Sequence, residues 1–173
     1  ADSPVGPFVY QGSFRPNNAM SRDQTVFVDD DGRAYQFYSS ENNETMYISL
    51  LTDDYLKPSG RFTRNFVKES REAPAVFKYN GKYYFSYSTG DTHLLCYATG
   101  DNPYGPFTYQ GVILTPVVGW TTHHAIVEFK GKWYLFHHDC VPSEGKTWLR
   151  SLKVCELQYD ADGRIITIEG KDE

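Results

Sequence analysis

One phrase is written three times in this chain. It reads Val26-Phe27-Val28-Asp29-Asp30-Asp31-Gly32-Arg33-Ala34-Tyr35, then Val76-Phe77-Lys78-Tyr79-Asn80-Gly81-Lys82-Tyr83-Tyr84, then Val127-Glu128-Phe129-Lys130-Gly131-Lys132-Trp133-Tyr134. The turn glycines Gly32, Gly81 and Gly131 fall 49 and 50 residues apart. A second phrase, Ser3-Pro4-Val5-Gly6-Pro7-Phe8-Val9-Tyr10-Gln11-Gly12, returns 99 residues later as Asn102-Pro103-Tyr104-Gly105-Pro106-Phe107-Thr108-Tyr109-Gln110-Gly111. A hairpin repeated at a fixed period of this size is the mark of a β-propeller built from blades.

Each copy reads as strand, tight turn, strand. Asp31-Gly32 and Asn80-Gly81 offer the positive φ that a two-residue hairpin needs, and Lys130-Gly131 offers it less favourably. The flanks carry Val, Phe, Tyr and Trp, which suit a pleated, partly buried surface. Thr45–Leu50 and Leu149–Leu157 alternate with period two, and Asp160-Ala161-Asp162-Gly163 reads as a last hairpin turn. The expected fold is all-β: an incomplete propeller of three to three and a half blades, each a four-stranded antiparallel sheet. The expected divisions are a blade remnant over 1–20 and blades over 21–70, 71–119 and 120–173. The chain starts inside a repeat, and an open ring exposes strand edges that invite another chain. A homo-oligomer, or a partner supplying the missing blades, is therefore expected.

A formal charge of −5 argues against nucleic acid, which needs clustered Lys and Arg. No apolar run approaches membrane-spanning length. Cys96, Cys140 and Cys155 have no metal-type spacing and read as buried thiols. Asn43-Glu44-Thr45 fits a glycosylation acceptor, a triplet common by chance. Asp29-Asp30-Asp31 lacks the spacing of a calcium loop and reads as a solvated hairpin tip.

The chemistry sits just before the repeat strands. Asp23 and Glu72 each precede their turn glycine by 9 residues, which predicts one radial position in neighbouring blades. Both acids would then reach the central axis. Glycoside hydrolysis needs paired carboxylates across a sugar, one of them protonated. Ordinary surface acids are the alternative. His123 falls 8 residues before Gly131, one step from that position. It could line the axis, hold a metal through water, or orient an acid. His123 and His124 point to opposite faces if they lie on a strand, so at most one faces the axis. Arg150 could clamp a sugar or form a surface ion pair, and Trp120 could stack on a sugar or fill the core. His137, His138 and Asp139 read as a strand terminus.

In order, Asp23 before Val26–Gly32, Glu72-Ala73-Pro74, Tyr104-Gly105-Pro106-Phe107, His123-His124 and Arg150-Ser151 resemble glycoside hydrolase family 43. The resemblance covers essentially the whole chain. It implies a five-bladed propeller that hydrolyses arabinofuranosyl, xylosyl and some galactosyl linkages with inversion, in hemicelluloses such as xylan and arabinan. It implies Glu72 as general acid and Asp23 as the acid tuning it. His123 would be the axial histidine beside a bound calcium ion, and Arg150 would contact the oligosaccharide or polysaccharide; Trp120 and His124 are the further candidates for binding it. It favours an extracellular or periplasmic setting. The family's general base is an Asp in the first blade, and no residue of this chain is assigned to that role. Gly119-Trp120-Thr121-Thr122-His123 departs from the common Gly-x-Gly-His form. Residues 21–78 are closer to galactan-acting members and 83–164 to xylosidases and arabinofuranosidases, so the sugar stays open. A carbohydrate-binding partial propeller without turnover is the rival expectation.

Overall fold

A computed structural model describes residues 1–16, 20–40, 43, 45–65, 67–120 and 123–170. Its strands form three antiparallel sheets. The first holds β1 (Ser21–Val28), β2 (Ala34–Ser40), β3 (Thr45–Leu51) and β4 (Pro58–Asn65). The second holds β5 (Glu72–Tyr79), β6 (Lys82–Ser88), β7 (Leu95–Gly100) and β8 (Thr108–Leu114). The third holds β9 (Ala125–Phe129), β10 (Lys132–Asp139) and β11 (Ser151–Leu157). The strands of each sheet pair in sequence order, as a propeller blade requires. The third blade has three strands where four were expected. After β11 the chain turns through Asp160–Gly163 and crosses to the second blade, where Ile168 bridges Leu114. Residues 1–16 form no strand.

The turns explain the hairpins, with one correction. Asn80 and Gly81 (φ 48° and 76°) and Lys130 and Gly131 (φ 52° and 77°) make two-residue turns in the left-handed region. Asp31-Gly32 does not make a two-residue turn. The loop runs Asp29 to Arg33, closed by the Gly32 N–H donating to the Asp29 carbonyl at 2.9 Å, and only Gly32 has positive φ. This hairpin therefore carries a longer loop than the other two, which shifts every count made back from its glycine.

Apolar layers lie between the blades. Phe37, Met46 and Ile48 of the first meet Phe85, Tyr87 and Phe107 of the second. Tyr84, Leu95 and Tyr97 of the second meet Leu135 and Leu157 of the third, with Ile165. Each fully buried side chain of this size stabilises the fold by roughly 1.5–3 kcal/mol. Alternation along β6 sends Phe85 and Tyr87 one way and Tyr84 the other, so one strand serves both layers. Packing sheet on sheet sets β1 beside β5 and β5 beside β9. The first, inner strands thus lie next to one another, with their starting ends at one end of the arc.

Candidate active site

Matching β-bulges shape the starts of β1 and β5. The ladder runs Arg22 opposite Ser39 and then Thr25 opposite Phe37; in β5 it runs Glu72 opposite Ser88 and then Ala75 opposite Ser86. Asp23 (φ 55°) and Ala73 (φ 52°) take the left-handed conformation inside these bulges. The two bulges are offset by 50 residues. Arg22 is therefore the equivalent of Glu72, and Asp23 the equivalent of Ala73. The shared register expected for Asp23 and Glu72 does not hold, because the longer first hairpin loop hides one residue.

The two acids still meet. The Asp23 carboxylate reaches across the blade gap, and its Oδ2 accepts the Ala73 N–H at 3.1 Å, one residue from Glu72. Its Oδ1 lies 4.0 Å from His123 Nδ1. Burial pushes the Glu72 carboxyl above its usual value, and the Asp23 charge pushes it further; Arg22, His123 and Arg150 pull back without cancelling. Asp23, Glu72, His123 and Arg150 thus come together from three blades.

Glu72 opens into a 360 Å³ pocket walled by Arg71, Asn43, Thr89, Asp91, His93 and Trp120. The Trp120 side chain is 69% exposed, which argues against a core role. The neighbouring β6–β7 loop secures it: His93 Nδ1 is 2.5 Å from the Trp120 carbonyl, and the two rings meet edge-on at 6.2 Å. The loop is itself tied, since Thr89 Oγ1 accepts the Leu94 N–H at 2.8 Å and pairs with the Thr92 hydroxyl at 2.6 Å. Sequence reading passed over Arg71, Asp91 and His93, and weighed Asn43 only as a glycosylation acceptor. No local pattern marks them, and their shared wall exists only once the blades are packed.

Other residues fall outside that pocket. His124 is 9% exposed and lies under the site, its Nε2 2.7 Å from Ser86 Oγ of the second blade. Burial drives its pKa down to about 3, so it is a neutral packing group and not the sugar contact expected. Both histidines precede β9, and of the two His123 is exposed while His124 turns inward against Ser86 of the second blade. Arg150 is exposed and precedes β11 instead of lying on it; its Nε donates to the Thr147 carbonyl at 3.1 Å. His138 does more than end a strand: its Nε2 accepts the His123 backbone N–H at 3.1 Å. Thr121 and Thr122 lie outside the described residues, as does Glu44 of the glycosylation triplet. Cys96 and Cys140 are buried thiols and Cys155 is partly buried.

The first hairpin tip is solvated at Asp30 and Asp31 but not at Asp29. The Asp29 side chain is only 8% exposed; its carboxylate accepts from Lys78 Nζ at 3.1 Å and from the Tyr83 hydroxyl at 2.5 Å. Asp30 accepts from the same ammonium at 2.6 Å. The acidic tip is an inter-blade clamp.

Among the described residues no three His, Cys, Asp or Glu side chains cluster as a metal cage. Calcium takes six to eight oxygen ligands, and His123 beside Asp23 supplies far fewer.

Paired acids at the converging ends of propeller blades, beside a sugar-sized pocket with an exposed indole, define the class: a propeller of the glycosidase type. The model for Glycosyl hydrolases family 43 matches residues 1–165, and the chain belongs to that family. It is 56% identical over 211 aligned residues to a xylosidase/arabinosidase of Bacteroides ovatus, covering 100% of this chain and 65% of that protein. It is 50% identical to a β-xylosidase of Xylanibacter ruminicola, covering 98% and 64%. The solved RS223 β-xylosidase superposes with a TM-score of 0.89 at 47% identity over 99% of this chain and 65% of that one. CoXyl43, a β-xylosidase/α-arabinofuranosidase from a compost metagenome solved with xylotriose in a calcium-free form, gives 0.88 at 43%, covering 100% and 65%. These neighbours are five-bladed propellers, and this chain spans about 65% of their length.

Proposed function

We propose that this chain carries the acid half of an inverting glycosidase site for xylosyl or arabinofuranosyl linkages. The observation that carries the reading is Glu72, its pKa raised by burial and by the Asp23 charge, opening into the pocket walled by Trp120. Glu72 protonates the departing glycosidic oxygen as the bond to the anomeric carbon breaks. Water attacks that carbon from the opposite ring face and gives its proton to a general base. Asp23 adds to the upward push of burial on the Glu72 pKa and, through the Ala73 N–H, fixes the bulge that aims it. Trp120 offers a face for the sugar ring, and Arg150 lends positive charge near the acids. A galactosyl substrate is the less supported alternative, since the two relatives above are a xylosidase/arabinosidase and a β-xylosidase. A calcium ion at the axis would be held largely through water beside His123.

Inverting sites hold acid and base about 6.5–9.5 Å apart. The base is assigned to the part of the fold that the relatives carry beyond the span shared with this chain. The exposed blade faces need the same completion, from those blades or from a second copy. The chain alone is then a weak catalyst, since a missing base costs roughly 10²–10⁴-fold.

Turnover of aryl β-xylosides and α-arabinofuranosides by the purified chain tests this, with and without azide as a nucleophile that needs no base. Slow hydrolysis, azide acceleration, and a further loss in Glu72→Gln on poor leaving groups are expected. Full base-dependent activity of the chain would overturn the assignment of the base. Binding of xylobiose with no turnover under any condition, unchanged by Glu72→Gln, would favour a binding module.

A further inference from the structure

The third sheet stops at three strands, so β11 presents an unpaired backbone edge among the described residues. Its Leu152 and Val154 are 76% and 57% exposed. In the second blade the corresponding strand, β7, is covered by β8. The chain enters β8 through a turn in which the Gly105 N–H donates to the Asn102 carbonyl at 3.1 Å. Phe107 then packs on Phe85, ring centres 5.2 Å apart, and is 7% exposed.

Residues 3–12 repeat this entry in sequence and in shape. The Gly6 N–H donates to the Ser3 carbonyl at 3.0 Å, and Gly12 and Gly111 share φ near 141° and 152°. Yet Phe8 is 75% exposed and Tyr10 80% exposed. The segment has the form of a fourth strand without a sheet, while β11 is a sheet edge without a fourth strand. Exposed edges of this kind capture extended segments through main-chain hydrogen bonds.

We propose that residues 8–12 of one molecule add to the β11 edge of a second copy as its antiparallel fourth strand. The repeat fixes the register. Phe85 lies between Val76 and Ala98, and Leu135 lies between Ile126 and Cys155, so Cys155 stands where Ala98 does. Ala98 pairs with Tyr109, whose counterpart in the first phrase is Tyr10. Tyr10 of one copy therefore falls opposite Cys155 of the other, and Val9 opposite Glu156. A 450 Å³ hollow lies along this edge, lined by Val154, Cys155, Leu114, Val117 and Ile168 among others, and receives the Tyr10 ring. Pairing Val9–Gly12 covers an exposed apolar stretch of one copy and the open edge of the other. The proposal is independent of the sugar chemistry.

The test uses the full chain. Wild type is expected to show a concentration-dependent mass of at least twice 19.8 kDa by light scattering. Tyr10→Cys, a change at an exposed site, is expected to form a disulfide with the native Cys155 under mild oxidation. The product runs at dimer mass or above without reductant, and the bond is lost in Tyr10→Cys/Cys155→Ser. The buried Cys96 and Cys140 do not compete. A wild type that stays monomeric at the highest soluble concentration overturns the proposal. So does a cross-link within one molecule, at monomer mass, or association that persists with no Tyr10–Cys155 link in the variant.

Discussion

The Ala73 N–H donates to the Asp23 carboxylate at 3.1 Å across the gap between the first and second blades. That bond joins two left-handed bulge residues and stations one negative charge beside Glu72. Asp23→Asn keeps an oxygen acceptor for Ala73 and removes the charge. The Glu72 pKa is expected to fall, with stability changed by under about 1 kcal/mol. Carboxyl carbon NMR titration reads the shift directly. An unmoved Glu72 would mean that burial alone raises its pKa.

Glu72 itself costs stability when ionised. Its folded pKa is raised, so the folded state holds more protons than the unfolded one from the usual value of 4.5 upward. Stability therefore falls as pH rises through that window. Glu72→Gln is expected to unfold at a slightly higher temperature than wild type at pH 7. The advantage should vanish below pH 4.5. Melting curves at both pH values decide it.

His124 works in the opposite sense. An ordinary histidine takes a proton near 6.5, but this buried ring resists it down to about 3. The unfolded chain binds that proton first, so stability drops as pH falls from 6.5 toward 3. His124→Gln is expected to cost about 1–3 kcal/mol at pH 7 through the Ser86 contact and to flatten the acid slope over this range. Urea titrations at several pH values test both parts, and an unchanged slope would remove His124 as its source.

The Asp29 clamp is a long-range tie. Burial raises the Asp29 carboxyl, but hydrogen bonds from Tyr83, the Asp30 N–H and Lys78 outweigh it and hold the pKa below the usual 3.8. This contribution is present above pH 3.8 and is lost as acid protonates the group. Lys78→Met leaves a nearly buried carboxylate with one fewer partner and is expected to destabilise by about 1–3 kcal/mol. Asp29→Asn should cost a similar amount and remove this share of the acid sensitivity. A double-mutant cycle with denaturant isolates the pair.

Trp120 separates binding from folding. Because its side chain is mostly exposed, Trp120→Ala should leave the unfolding midpoint in place. Loss of a stacking face worth about 0.5–1.5 kcal/mol should weaken xylobiose binding several-fold. His93→Ala should weaken it less, by loosening the Trp120 carbonyl that His93 holds. Calorimetric titration measures both, and a Trp120→Ala variant with wild-type affinity would move the sugar elsewhere.

Much of this was legible in one dimension. Period-two apolar runs and Asn-Gly or Lys-Gly turns act over a few residues, so three hairpins at a fixed spacing specify blades before any packing is known. The position of Glu72 at the head of β5 follows from the same count. Its approach to Asp23 does not come from the shared register that the count implies. The longer Asp29–Arg33 loop offsets the count by one, and only the bulge restores the approach. What the tertiary structure alone decided are the contacts between blades, Asp29 with Lys78, His93 with Trp120 and His124 with Ser86, and one within the third blade, His138 with the His123 backbone. Each joins residues far apart along the chain or brought together by a strand pairing. Local propensity fixes which way a side chain points from its own strand, but only sheet-on-sheet packing determines what it then meets.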